Sequence, residues 1–492
     1  MNRQLRRLGL VMLILYAVLF VQLNLLQVGK ASSYKADPRN TTEVVRDFTR
    51  PRGKIASADG QVIAESVPSD DRYKFTRQYP LGELFAHTAG YFSLTYGASG
   101  VERVQNDVLS GQTNRQKLKG LGSLFSTKVS VGDVTTTMRA DIQTVARDAL
   151  GEREGSVVAL DIRTGAVLAM WSWPSFDPNT IATHDLAAAD AARKALLADT
   201  ERKPLLANAF QERYMPGSTF KVVTSTAALE NGMPVDRAFA VERSYVPPLT
   251  TNPINNYGGS LCGGTFLEVF RQSCNTPFAR LGVELGAEKM VAKTKDFGIG
   301  EKVPIDLPGA AASFFGDVKD FERDDPRLAQ SSFGQNAVTI TPLHMAMLAA
   351  TIANKGKMMT PYVVAETHDA DGTTLSKHQP TVWKTPMSEE TSATLTQAMI
   401  LVANAGTARC CLKLAGGEQA AAKTGTAQLR APGDPLGPLS HAWITTFAPA
   451  DAPRIAVAVM VKASPEVTAG TGGTVAGPVA RQVLEAALAA VP

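Results

Sequence analysis

Between Leu8 and Val28 the chain carries no charged side chain, and Arg3, Arg6 and Arg7 stand just before that stretch. A helix of about 20 apolar residues crosses the hydrocarbon of a bilayer, and flanking arginines stay on the cytoplasmic side. The stretch predicts a single-pass anchor in the cell membrane, N-terminus cytoplasmic, with the rest of the chain outside. Gln22, Asn24 and Gln27 dilute its second half, and Gly29-Lys30-Ala31 is a poor cleavage site, so a removed signal peptide is the alternative. On either reading the body of the protein is exported.

At 492 residues there is room for two or three domains. A net charge of +4, with no basic block interleaved with aromatics, excludes nucleic acid as a partner. Cysteines at 262, 274, 410 and 411 suit an oxidising compartment. Cys262 and Cys274 are close enough to staple one loop, whereas a ring between the neighbours Cys410 and Cys411 would be strained. Other pairings and four free thiols stay open. Without C-x-x-C or a histidine cluster, neither metal nor cofactor is expected.

From Ala31 to about Gly132 the chain is polar, with short apolar runs and turn signals, and predicts a small strand-containing module. "VTTTM" (134–138) reads as a strand and "ADIQTVARDAL" as a helix. "SVVALDIRTGAVLAMWSW" (156–173) reads as a β-hairpin around Arg163-Thr164-Gly165. A long central region is largely helical. Within it Thr341 is an N-cap before Pro342, with Gly356 past the end, and Ser388 precedes two glutamates at another helix start. Three strand candidates follow, "AAKTGTAQL", "HAWITTFAP" and "RIAVAVMVK", then a last helix, "AGPVARQVLEAALAAV". The order predicts an α+β fold: one antiparallel sheet with helices on both faces and an all-helical subdomain.

Ser218-Thr219-Phe220-Lys221 follows Pro216-Gly217. On a helix, positions three apart share a face, which sets a hydroxyl beside an amine amid apolar neighbours. A second S-x-x-K, Ser32 to Lys35, shows how little the pattern means alone. Its company carries the weight: Ser273-Cys274-Asn275 at the end of a helical run, and Lys423-Thr424-Gly425-Thr426 on a strand candidate. A serine hydroxyl attacks only when a neighbour takes its proton. Lys221 can do so once burial and a second cation, Lys423, lower its pKa from about 10.4. Ser273 can relay the proton to a leaving amine, and Asn275 can hold a peptide acyl donor. Lys423 and Thr424 suit a substrate carboxylate. Gly425 lets the strand approach the substrate. The N–H groups of Ser218, at a helix start, and of Thr426 would form an oxyanion hole.

In this order the three motifs resemble those of the penicillin-recognising serine enzymes. "PRNTTEVVRDFTRPRGKIASADGQVIAES" (38–66), with Arg52-Gly53-Lys54-Ile55, resembles the pedestal signature of class B penicillin-binding proteins. "GSVVALDIRTGAVLAMWSWPSFDPN" resembles the start of their transpeptidase domain, and "SFGQNAVTITPLHMA" their Gly-Gln segment. The likeness, strongest to the actinobacterial penicillin-binding protein A group, covers nearly the whole chain and includes the cysteine within S-x-N.

It implies the penicillin-binding transpeptidase fold: a five-stranded antiparallel sheet flanked by helices plus an all-helical subdomain. The expected division is residues 1–30 cytoplasmic tip and anchor, 31–135 pedestal, and 136–492 transpeptidase domain. It implies a peptidoglycan D,D-transpeptidase acting on stem peptides that end in D-Ala–D-Ala, acylated by β-lactams. Members work beside a membrane glycosyltransferase in growth or division. Ser218, Lys221 and Ser273 would then be catalytic, and Asn275, Lys423, Thr424, Gly425 and Thr426 substrate-binding. Rival readings are a β-lactamase or β-lactam sensor, and a non-catalytic division scaffold; carboxypeptidase activity is open as a side reaction. His441, Trp171, Trp173 and the stretch from Ile340 to Ala353 read as structural.

Overall fold

The computed structural model describes residues 2–26, 48–116, 131–430 and 434–491. The Ser32–Lys35 decoy, the Gly29–Ala31 cleavage candidate and residues 38–47 of the pedestal signature lie outside them. Asn2–Asn24 is one α-helix whose leucines, Tyr16 and Phe20 are exposed on every side. It is long and apolar enough to cross a membrane. A helix apolar all round finds its partner in lipid rather than in a core.

Two sheets organise the rest. The first has six strands, in the order Thr374–Lys377, Val364–His368, Asp133–Thr136, Ile55–Ala56, Val62–Pro68, Phe75–Gln78. The "VTTTM" strand belongs here, running parallel to Ile55–Ala56. Two strands arrive from residues 364–377, a pairing across more than two hundred positions that local pattern does not reveal. The Asp306 carboxylate pins the incoming chain by accepting N–H from Val363 and Val364, both at 2.8 Å. Beside this sheet, Glu102 is buried between two guanidinium groups: Arg52 Nε and Arg77 Nε each donate to it at 2.6 Å.

The second sheet has five antiparallel strands, in the order Ala421–Arg430, Leu439–Ala448, Ile455–Val461, Gly155–Asp161, Val167–Trp173. Its central strands are buried on both faces, so they read as unbroken apolar runs rather than alternating ones. Helices Ala140–Leu150 and Gly477–Ala490 pack together on one face and Pro342–Ala353 on the other. Thr341 caps the last of these through the N–H of His344, with Pro342 at its first turn. Ser388 caps Glu389–Ala405 through the N–H of Thr391. That helix joins Lys221–Glu230, Phe266–Gln272, Thr276–Asp296 and Asp325–Ser331 in the helical subdomain, along with two short two-stranded ribbons between 238 and 265.

All four cysteines are bonded, Cys262 to Cys274 and Cys410 to Cys411. The second bond corrects the expectation that strain would keep neighbours apart. The adjacent pair, with Cα atoms 3.8 Å apart, closes its ring within a turn of the chain.

Candidate active site

A single turn of 3-10 helix, Gly217–Phe220, leads into the α-helix Lys221–Glu230. The sequence predicted one helix from Pro216-Gly217; the tighter opening turn comes from Gly217 at φ +54°, a conformation glycine adopts without cost. A Cβ on Gly217 would meet Thr426 O at 2.6 Å, and one on Gly425 would meet Pro216 O at 2.5 Å. The backbone that Gly425 admits is therefore the turn that carries Ser218. Trp443, fully buried, donates its indole N–H to Met215 O at 2.9 Å and fixes the same turn from beneath. His441 accepts the Ala463 N–H at 2.9 Å, and Trp171 stacks on Trp173, as structural residues do.

Ser218 lies half-exposed in a cleft of about 990 Å³, lined also by Ser273, Asn275, Thr424 and Thr426. Lys221 and Lys423 lie beneath that surface with 0% exposure. Lys221 Nζ donates to Ser273 O at 2.7 Å and to Asn275 Oδ1 at 2.9 Å, and stands 3.4 Å from Ser273 Oγ. Lys423 Nζ donates to Ser273 Oγ at 2.8 Å and to Thr424 O at 2.9 Å. Among the described residues, no hydrogen bond joins Lys221 to Ser218; such contacts are often long before substrate arrives. Burial, with Lys423 as the second cause, holds the Lys221 amine well below the usual lysine range. Burial alone lowers Lys423 to about 7. Removing an ammonium from water without a carboxylate partner favours the neutral amine, which has the lone pair a base requires.

Ser273 occupies the left-handed region, φ +60°, at the C-terminal end of Phe266–Gln272. A non-glycine residue stays there only when its surroundings hold it. The Cys262–Cys274 bond is one restraint. Asn256 is another, unmarked in the sequence: its Oδ1 accepts the N–H of Asn275 at 2.8 Å and of Thr276 at 3.1 Å. Its Nδ2 donates to Glu242 O at 2.8 Å and Ser260 O at 3.3 Å. Only an asparagine in a turn-rich segment hinted at it.

Two substrate contacts expected from the sequence are placed differently. Asn275 Nδ2 donates one of its two protons to Asn255 O at 3.0 Å, which leaves the second for a donor peptide. Lys423 sits behind Ser273 rather than in the open cleft. Thr424 fronts the cleft, its Oγ1 2.6 Å from the Oγ1 of Thr407, another residue the sequence did not single out.

Ala421–Arg430 is an edge strand. Its Thr424 and Thr426 carbonyls accept side chains off the sheet, from Lys423 at 2.9 Å and Gln335 at 3.4 Å. In a β-strand a residue's N–H and C=O point to the same side, so both N–H groups also face away from the sheet, that of Thr426 on the side of the Gly217 turn.

Residues 155–485 match the penicillin binding protein transpeptidase domain family, and residues 52–134 the penicillin binding protein A dimerisation domain. The chain belongs to the penicillin-binding transpeptidase family. It is 38% identical to the peptidoglycan D,D-transpeptidase PbpA of Mycolicibacterium smegmatis, over 99% of both chains. It is 36% identical to the PbpA of Mycobacterium tuberculosis, over 100% of both. The penicillin G acyl-enzyme complex of penicillin-binding protein A from M. tuberculosis superposes with a TM-score of 0.81 at 36% identity, covering 89% of this chain and all of that one. The penicillin-binding transpeptidase fold of this chain is thus shared with solved relatives, and an N-terminal helix suited to a single membrane span precedes it.

Proposed function

We propose that this penicillin-binding transpeptidase cross-links peptidoglycan through an acyl-enzyme on Ser218. The observation that supports the roles is the meeting of two buried lysines, neither with a carboxylate among the described residues, at one serine hydroxyl. Ser218 Oγ attacks the carbonyl of the penultimate D-alanine of a donor stem, and its proton passes to the neutral Lys221 amine. The developing oxyanion takes the Ser218 and Thr426 N–H groups. Ser273, between the lysines, returns a proton to the amine of the departing D-alanine as the C–N bond breaks. An acceptor stem's amine then attacks the acyl-enzyme and loses a proton to Lys221, which passes it to Ser218 Oγ as the ester C–O bond breaks. Asn275 positions the donor, and Thr424 and Thr426 its terminal carboxylate. Lys423 keeps Lys221 neutral and Ser273 oriented. A β-lactam acylates the same serine.

In this reading residues 1–30 are the cytoplasmic tip and anchor, with the pedestal, 31–135, and the transpeptidase domain, 136–492, outside; the long apolar N-terminal helix supports it. The single span suits work beside a membrane glycosyltransferase during growth or division. Intact mass after incubation with penicillin, followed over hours, tests the site. A long-lived adduct on the native protein and none on Ser218→Ala is expected. An adduct that turns over in seconds while penicillin is consumed would make the protein a β-lactamase. A folded protein with no adduct would be a scaffold.

A further inference from the structure

The Thr407–Thr424 contact has no counterpart in the three motifs. Thr407 follows the helix Glu389–Ala405, and its hydroxyl is 2.6 Å from that of Thr424, with both side chains lining the cleft. Among the described residues neither hydroxyl has another hydrogen-bond partner. Two hydroxyls hold two protons, and the bond between them uses one. Whichever donates, one O–H is left to face the cleft. With Thr407 donating, the unspent proton belongs to Thr424, and the chain O–H···O–H becomes a stronger donor toward an anion than a lone hydroxyl.

The backbone around Thr407 is built to hold that geometry. Arg271, two residues before Ser273, donates to Ala405 O at 2.8 Å. A Cβ on Gly406 would meet Arg271 O at 2.5 Å, and one on Gly473 would meet Thr407 O at 2.2 Å. The turn is pressed from both sides, with the Cys410–Cys411 bond closing it just beyond. The helix that ends in the second motif, the strand carrying the third and the glycine turn at 472–473 therefore converge on one exposed threonine. A structural threonine at a helix end would cap its own turn; this one turns its hydroxyl to a neighbouring strand.

We propose that Thr407 is a positioning residue for the transpeptidation donor: it orients the Thr424 hydroxyl so that its proton points at the carboxylate ending the donor stem. The proposal rests on the reading of Ser218 as the acylated residue and adds a discriminating role for a residue outside the motifs.

The test compares two synthetic D-alanyl thioesters, one whose leaving group ends in a carboxylate and one ending in a carboxamide, as donors for the full chain in detergent. Thr407→Val, which keeps the shape and removes the hydroxyl, is expected to reduce the kcat/KM preference for the carboxylate donor about tenfold, mainly through KM. Thr407→Ser, which keeps the hydroxyl, is expected to restore the preference to within about twofold. Equal loss on both donors, or a serine variant as indifferent as the valine one, would overturn the proposal in favour of a purely structural threonine. Should Thr407→Val not fold, Thr407→Ala is read by the same ratio, which is internal to each protein sample. Native protein that uses neither donor, or Ser218→Ala that uses both, would overturn the reading of the site and this role with it. Native protein that uses both donors equally would overturn this role alone.

Discussion

Two buried clusters of charged side chains, one in the pedestal and one in the cleft, are resolved in opposite ways. In the pedestal, Glu102 has 0% exposure and lies between Arg52 and Arg77, with Arg52 Nη2 also donating to its backbone carbonyl at 2.7 Å. Burial pushes its carboxyl up, but Arg77 and Arg52 outweigh that and leave it below the usual glutamate range. In the cleft, Lys221 and Lys423 have the same 0% exposure and, among the described residues, no carboxylate partner, and both are driven toward neutrality. A compensated cluster keeps its charges and locks strands and helix together. An uncompensated one is pushed toward the neutral form, Lys221 further than Lys423. The same burial keeps charges in one place and lowers amine pKa values in the other, depending on the partner.

Replacing a member of each cluster tests that contrast. Lys221→Met should lower the rate of penicillin acylation by roughly 100- to 10,000-fold, the range for loss of a positioned base. Its thermal stability should not fall, because an apolar chain of similar length suits a site that already favours the uncharged form. A melting temperature well below native would show that Lys221 is held as a structural cation. Glu102→Gln should cost about 3–5 kcal/mol of stability by leaving two buried guanidinium groups short of charge. Denaturant unfolding measures this, and acylation per folded molecule should be unchanged; a neutral result would mean the pedestal cluster is not a joint. The native protein should keep that stability above pH 4.5, the ordinary glutamate value, and lose it only as the pH falls through the depressed one. Smallest of the three, Lys423→Gln should move the ascending limb of the acylation–pH profile to higher pH. With its own pKa lowered only to about 7, Lys423 keeps part of its charge and disfavours protonation of Lys221, so removing it raises the Lys221 pKa. A limb that stays in place would leave burial as the sole cause.

Much of the site was legible because its chemistry is written in short, spaced groups. Ser218 and Lys221 are tied by helical geometry, Lys423 to Thr426 by one strand, and Ser273 and Asn275 by one turn. The caps at Thr341 and Ser388 and the apolar runs of the central sheet follow from local physics in the same way. The residues that hold these groups were not legible. Asn256 looks like any loop asparagine until its four hydrogen bonds are seen, and Thr407 looks like a residue after a helix. The strands at 364–377 carried no sign that they complete a sheet begun at residue 55. The Cys410–Cys411 bond ran against a sound local expectation.

By itself the sequence determined which side chains could react and which elements would carry them. It also determined that a long apolar helix comes before them, because spacing, capping and uninterrupted apolarity act between near neighbours. Only the tertiary structure decided that Lys221 and Lys423 meet at Ser273 Oγ with no carboxylate between them, and that Glu102 meets two arginines instead. The charge state of a buried group depends on what the fold brings within a few ångströms of it, and those partners lie tens to hundreds of residues away along the chain.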